Sequence, residues 1–347
     1  MGDKIVHISA GNEKFIYPFV RLISADFNAS KHLFLLANND KIQGYELGDN
    51  VSCFARTVLD RIRYYISITV EMHRSEKVFL HSLGDIKLVV LLFFLPWLLK
   101  KCYWVVWGGD LYIYQQSGCD YKSRVHEFFR RPVIKNIGHL VTYIKGDVQL
   151  ARKWYEAKGR YHECLMYISN TYKEFEVKDK QDETIYIQMG NSADPENNHL
   201  EILKKLIPYK DNDILIYAPL SYGSPVHAQN VIRQGKELFG EKFIPLTEFM
   251  HFNEYLNFLG KIDIAIFNHK RQQAMGNTIT LLGLGKKVYM RSDVTPWRLF
   301  ENIGIKVFDV ENINLLHLKE TVRYRNCTEV KKYFSKEKLK WQLNEIF

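Results

Sequence analysis

None of the five cysteines in this 347-residue chain, at positions 53, 102, 119, 164 and 327, forms a Cys-x-x-Cys pair or a metal-like spacing. A zinc ribbon or dithiol redox centre is therefore not expected, and the cysteines read as small core residues of a reduced compartment. No Gly-x-Gly-x-x-Gly follows an early strand-like segment, which removes the dinucleotide fingerprint. No apolar run reaches the roughly 18 residues of a membrane-crossing helix. The longest, within IKLVVLLFFLPWLLKK, extends from Leu88 to Leu99 and contains Pro96. Two outcomes stay open for it: a buried helix leading into the strand YWVVW, or a helix lying on a membrane surface beside Lys100 and Lys101. The amino terminus MGDKIVHISAG enters a strand-like run directly, so no secretory leader is expected. There is no low-complexity tract and no short internal repeat.

What is present is size, apolar content and unevenly spread charge. A chain of this length exceeds the usual growth of one core, and 46% hydrophobic residues suffice for two domains. The formal charge is +9; residues 1–175 carry 24 Lys+Arg against 17 Asp+Glu, and residues 176–347 carry 24 against 22. Most of the excess lies in the first half, which suggests an anionic partner there. No zinc-finger, RNP-like or basic-helix pattern accompanies it, so an acidic membrane surface is favoured over nucleic acid.

Strand-like and helix-like segments alternate throughout, the rhythm of doubly wound parallel sheets. In the first half the strands read as KIVHIS, HLFLLA, KVFLHSL, YWVVWGG and HLVTYI. The polar stretch NTYKEFEVKDKQDET interrupts the pattern, giving expected domains at 1–175 and 176–347. The expected architecture is two Rossmann-like α/β domains facing across a cleft, with ligands at the carboxyl ends of the strands.

Four strand ends in the second half are polar. Gly190, Asn191 and Ser192 leave the first with small side chains and free N–H groups, while Asp194 and Pro195 read as a helix start. Tyr222 and Gly223 stand at the second, and Glu248 and Phe249 at the third, where a base and a hydroxyl can be met. At the fourth, NHKRQQAMGN supplies Arg271, Gln272, Gln273, Gly276 and Asn277 at the lip of a helix; Arg271 can fork onto a phosphate and Gly276 lets backbone approach it.

That ordered series resembles the nucleotide half of a GT-B glycosyltransferase. MGNSADPENNH, FNHKRQQAMGN and, in the first half, WGGDLY further resemble the TDP-N-acetylfucosamine:lipid II N-acetylfucosaminyltransferases, glycosyltransferase family 56, over nearly the whole chain. The resemblance implies a GT-B fold and a peripheral enzyme at the cytoplasmic face of the bacterial inner membrane. It implies transfer of a 4-acetamido-4,6-dideoxyhexose from a dTDP- or UDP-sugar to an undecaprenyl-pyrophosphate-linked saccharide, in surface-polysaccharide assembly. The donor is a co-substrate, no cofactor is expected, and positive groups with helix N-termini take the place of a metal. A sugar-nucleotide 2-epimerase and a non-catalytic nucleotide-sugar-binding protein are the alternatives.

An inverting transfer needs a base for the acceptor hydroxyl. Asp110 of WGGDLY follows an apolar strand, where a carboxylate can be partly desolvated and its pKa raised; an N-cap is its other reading. His81 is second, with Asp85 at the same strand end, and His7 reads as a core histidine. Arg124, Arg130 and Arg131 can meet an acceptor pyrophosphate or form a solvated cluster.

Overall fold

KIVHIS lacks the polar–apolar alternation of a strand with one wet face, so both its faces must be covered. In the computed structural model it is β1 (Ile5–Ser9), buried along its length near the centre of a seven-stranded sheet. The structure describes residues 3–11, 13–37, 48–55, 57–116, 121–177, 180 and 182–347.

Unit 1 contains β1, β2 (His32–Ala37), β3 (Val51–Phe54), β4 (Lys77–Leu80), β5 (Cys102–Val105), β6 (His139–Val141) and β7 (Arg160–His162). All are parallel, in the order β3-β2-β1-β4-β5-β6-β7. The crossovers carry α1 (Glu13–Asp26), α2 (Val58–Arg74), α3 (Ile86–Phe94), α4 (Gly108–Leu111), α5 (Ile113–Gln116), α6 (Tyr121–Asn136) and α7 (Lys145–Tyr155). Thr57 starts α2 by accepting from the Asp60 N–H, and Tyr64, Ile68 and Met72, four residues apart, bury its inner face. The Leu88–Leu99 segment is the buried alternative: Leu88, Val89, Leu92, Leu98 and Leu99 all enter the core, and a 3-10 turn beginning at Pro96 follows α3. No described helix is long and apolar enough to cross a membrane.

Unit 2 contains β8 (Ile185–Met189), β9 (Ile214–Pro219), β10 (Phe243–Leu246), β11 (Ile264–Phe267), β12 (Lys287–Met290) and β13 (Phe308–Asp309). They too are parallel, in the order β10-β9-β8-β11-β12-β13. Its helices are α8 (His199–Leu206), α9 (Pro225–Phe239), α10 (Phe252–Lys261), α11 (Met275–Gly283), α12 (Thr295–Asn302) and α13 (Glu320–Tyr333).

The domain boundaries differ from those expected. Unit 1 is Met1–Asn170 together with Lys336–Phe347, and unit 2 is Thr171–Ser335. The last helix, α14 (Lys336–Ile346), belongs to the first unit because its apolar face finds a core there. Leu339, Leu343 and Ile346 are buried, the Gln342 side-chain oxygen accepts from the Leu165 N–H at 3.0 Å, and Lys77 Nζ donates to the Phe347 carbonyl at 2.6 Å.

Candidate active site

In an open parallel sheet, ligands bind outside the carboxyl ends of the strands, where neighbouring connections leave in opposite directions. Unit 2 has this reversal between β8 and β11, and unit 1 has it between β1 and β4.

At the β8 end, Gly190 has φ +67, and a Cβ there would stand 2.6 Å from His199 Nε2 and 2.7 Å from Asn197 Oδ1. Only glycine lets the chain pass so close to these side chains. Asn197 Oδ1 accepts from the Asn191 N–H at 2.9 Å and pairs with His269 Nε2 at 2.8 Å, which requires His269 to carry its proton on Nε2. Burial lowers the His269 and His199 pKa values to about 3, so both rings are neutral. Asn198 Nδ2 donates to the Asn268 carbonyl at 2.8 Å, tying the β8 and β11 loops together.

Gly223 brings the β9 loop in. Its φ is +116, a Cβ there would lie 2.6 Å from the Ala193 carbonyl carbon, and the Ala193 N–H donates to the Tyr222 carbonyl at 2.7 Å. Asn191 Nδ2 donates to the Tyr222 hydroxyl at 3.1 Å, and buried Ser192 accepts from Asn197 Nδ2 at 3.3 Å. The α11 start, with Gly276 and Asn277 in its first turn, follows Ala274 at φ +55 and has no side-chain cap. Several buried atoms around this point have no hydrogen-bond partner: both amide atoms of Asn268, His199 Nε2, and the side-chain oxygens of Asn191, Gln272 and Gln273. Each orphan costs about 1–3 kcal/mol, and a ligand rich in hydroxyl and phosphate oxygens satisfies such a set together with the free N–H groups of α11.

Three expected contributors in this unit stand differently. Arg271 is ion-paired with Glu196 and lies 3.7 Å from Asp194, so its charge is already offset. Glu248 and Phe249 are exposed at the end of the edge strand β10, separated from β8 by β9. Asn197, Asn268, His199 and His269 also belong to this cluster, although the NH opening NHKRQQAMGN and the NNH closing MGNSADPENNH carry no pattern that marks them in the sequence. One Asp-x-Asp triplet exists, Asp211–Asn212–Asp213, but it precedes β9 at the amino-terminal end, where Asp213 accepts from Thr184.

Unit 1 holds a cavity of about 470 Å³ at its own reversal, lined among others by Gly11, Arg61, Tyr65, Ser82, Asp85 and Lys87. Asp85 Oδ1 accepts from the Lys87 N–H at 3.0 Å as the cap of α3, and Oδ2 accepts from the Tyr65 hydroxyl at 2.6 Å. Ser82 has φ +125, a strained position for a residue with a side chain.

Asp110 and His81 do not fit the proton-accepting role expected of them. The Asp110 carboxylate is buried and takes hydrogen bonds from the Leu83 N–H at 2.7 Å, Trp104 Nε1 at 2.9 Å and the Trp107 N–H at 2.9 Å. Burial raises its pKa, with these donors pulling the other way. Both His81 nitrogens are engaged, Nε2 with His7 Nδ1 at 3.0 Å and Nδ1 with the Tyr167 hydroxyl at 2.6 Å, and His7 passes the chain on to His32 at 2.9 Å. Burial lowers the His81 pKa to about 3. Arg130 is buried and donates to the Asp110 carbonyl at 2.7 Å, whereas Arg124 and Arg131 are exposed.

Two parallel-sheet α/β units in one chain make up the fold of GT-B glycosyltransferases. The chain belongs to glycosyl transferase group 56, described as 4-alpha-L-fucosyltransferase, whose family model matches residues 20–335. Among solved structures it is similar to sucrose-phosphate synthase from Thermosynechococcus elongatus, with TM-score 0.66, 10% identity, and 99% and 98% of the two chains covered. Anabaena HepE in complex with UDP and glucose gives TM-score 0.63, 10% identity and 99% of both chains. WaaG, a glycosyltransferase of lipopolysaccharide biosynthesis, gives 0.57, 11% identity, and 98% and 93%.

Proposed function

We propose that the enzyme moves a 4-acetamido-4,6-dideoxyhexose from a dTDP- or UDP-sugar to an undecaprenyl-pyrophosphate-linked saccharide at the cytoplasmic face of the inner membrane, without a metal. The observation that carries the donor half is the orphaned cluster of Asn268, Gln272 and Gln273 beside the uncapped start of α11. In this reading the N–H groups of Gly276 and Asn277 hold the diphosphate, and Gly190, Asn191 and Ser192 line its other side. Tyr222 and Gly223 close the rim, and Glu248 and Phe249 remain candidates for the nucleoside. The presence of UDP and glucose in HepE supports a nucleotide sugar.

For the acceptor we assign the unit 1 cavity, with Asp85 as base in place of Asp110. Among the described residues Asp85 is the carboxylate of that lining, and the Tyr65 hydroxyl donates to its Oδ2. It removes the acceptor hydroxyl proton as the oxygen bonds to the anomeric carbon; the bond to the diphosphate oxygen breaks and the nucleoside diphosphate leaves. Asp85→Asn is the decisive variant, because asparagine caps a helix as well as aspartate does but is no base. Turnover on a lipid-linked acceptor should fall by about 10² or more, with melting temperature and the dTDP-induced thermal shift unchanged. Retained turnover removes Asp85 as the base. Activity should also survive EDTA; loss that Mg²⁺ restores would contradict the metal-free assignment.

A further inference from the structure

A helix on a protein surface ordinarily has one apolar stripe, facing the core. Helix α2 has two. Opposite the buried Tyr64, Ile68 and Met72 it exposes Val58 (73%), Leu59 (67%), Ile62 (52%), Ile66 (58%) and Val70 (38%). At about 100° per residue these five fall within an arc of about 120°, along roughly 18 Å of helix. That is a contiguous aliphatic band, not scattered single residues.

The surroundings of the band identify what it meets. Arg63 and Arg74 border it with largely exposed side chains, each in a surface ion pair, with Asp60 at 3.4 Å and Glu71 at 3.3 Å, that solvent weakens. At its carboxyl end Trp97, 61% exposed, donates from Nε1 to His73 Nε2 at 3.2 Å, while Lys101 Nζ donates to the Ser75 carbonyl at 2.7 Å and Lys100 is exposed. Residues 57–101 hold seven Lys+Arg (61, 63, 74, 77, 87, 100, 101) against four Asp+Glu (60, 71, 76, 85). An aliphatic band ended by an indole and bordered by basic side chains matches a bilayer interface, with side chains among acyl chains, tryptophan at headgroup depth and cations at acidic headgroups.

We propose that the outer face of α2 lies on a membrane surface carrying acidic lipids. The same helix lines the unit 1 cavity with Arg61, Tyr64 and Tyr65 from its other faces, so docking sets that cavity about one helix diameter, about 10–12 Å, from the headgroup layer. That consequence rests on the acceptor being lipid-linked. The Leu88–Leu99 segment itself is mostly core and reaches the surface at Phe94, Pro96 and Trp97, of which Trp97 joins the end of the α2 band.

The test is flotation of the full chain with phosphatidylcholine vesicles, with and without phosphatidylglycerol, across a salt series. Binding to the acidic vesicles that weakens with salt is expected, and Ile62→Asp with Ile66→Asp should reduce it about tenfold or more. Melting temperature should hold, since both side chains are solvent-exposed; Ile62→Ser with Ile66→Ser is the milder pair should the charged one perturb folding. Equal binding by the variants, no binding by the parent, or a parent dimer that either pair dissociates would overturn the proposal. The dTDP-induced thermal shift, read in the same samples, separates the two readings. Its absence with vesicle binding intact sinks the transferase assignment and leaves the docking face standing.

Discussion

The carboxylate of Asp110 receives the backbone N–H of Leu83 at 2.7 Å, across 27 residues of chain, while Arg130 donates to the Leu83 carbonyl from the other side. This clamp holds the loop of strained Ser82, which lines the cavity. Asp110 is thus a positioning residue for that loop. Asp110→Asn turns an N–H toward at least one of three donors, so stability in urea should fall by about 2–4 kcal/mol. Turnover per folded molecule should stay within a few fold. A stable variant with turnover lost would return Asp110 to the chemistry.

Asn268 gives the opposite signature. Its two amide atoms are buried without partners, so Asn268→Leu, close in volume, should leave unliganded stability within about 1 kcal/mol of the parent or raise it. Nucleotide affinity should drop at least about tenfold, equivalent to about 1.4 kcal/mol, read as a smaller thermal shift with dTDP. An unchanged shift would take Asn268 out of the donor site.

Arg271 is tested by charge compensation. Arg271→Ala leaves Asp194 and Glu196 unopposed near the proposed diphosphate position, and nucleotide binding should weaken. Adding Glu196→Gln should recover part of it if Arg271 acts by offsetting those carboxylates. No recovery would mean that the guanidinium itself touches the phosphates.

Acid should unfold the protein through its buried histidines. Burial is the largest cause lowering the folded-state pKa of His32 to about 4 and of His81, His199 and His269 to about 3, from the ordinary 6.5. Between those values the unfolded chain binds more protons, so stability is complete above about pH 6.5 and declines as pH falls through 6 toward 3. Urea midpoints across that range check it. His81→Phe should flatten the slope; a slope equal to the parent's would show that carboxylates alone carry it.

Most strands were legible because parallel strands covered on both faces read as apolar runs. The two that escaped, Val51–Phe54 and Arg160–His162, are four and three residues long with too little pattern to register. At the site, Gly190, Asn191, Gln272 and Gln273 could be found from strand ends followed by small or amide residues. Asn268 and His269 could not be told from loop filler, because orphaned amides and a fixed tautomer exist only once β8 and β11 are adjacent. Asp85 and Asp110 were both visible as strand-end carboxylates. What separates them is their donors: Leu83 and Trp104 surround one, and the other opens on a cavity with Tyr65.

The return of α14 to unit 1 has a consequence for how the chain is made. Phe347 sets its ring against those of His32, His7 and Phe79, at centroid distances of 4.6, 6.0 and 5.4 Å. Residues 336–347 leave the ribosome only after all of unit 2. The unit begun first is therefore finished last, and until then its histidine row lacks one wall. Unit 2 is complete by Ser335 and can fold while the earlier unit waits, so a chain stalled near that point would hold one finished domain and one aggregation-prone half.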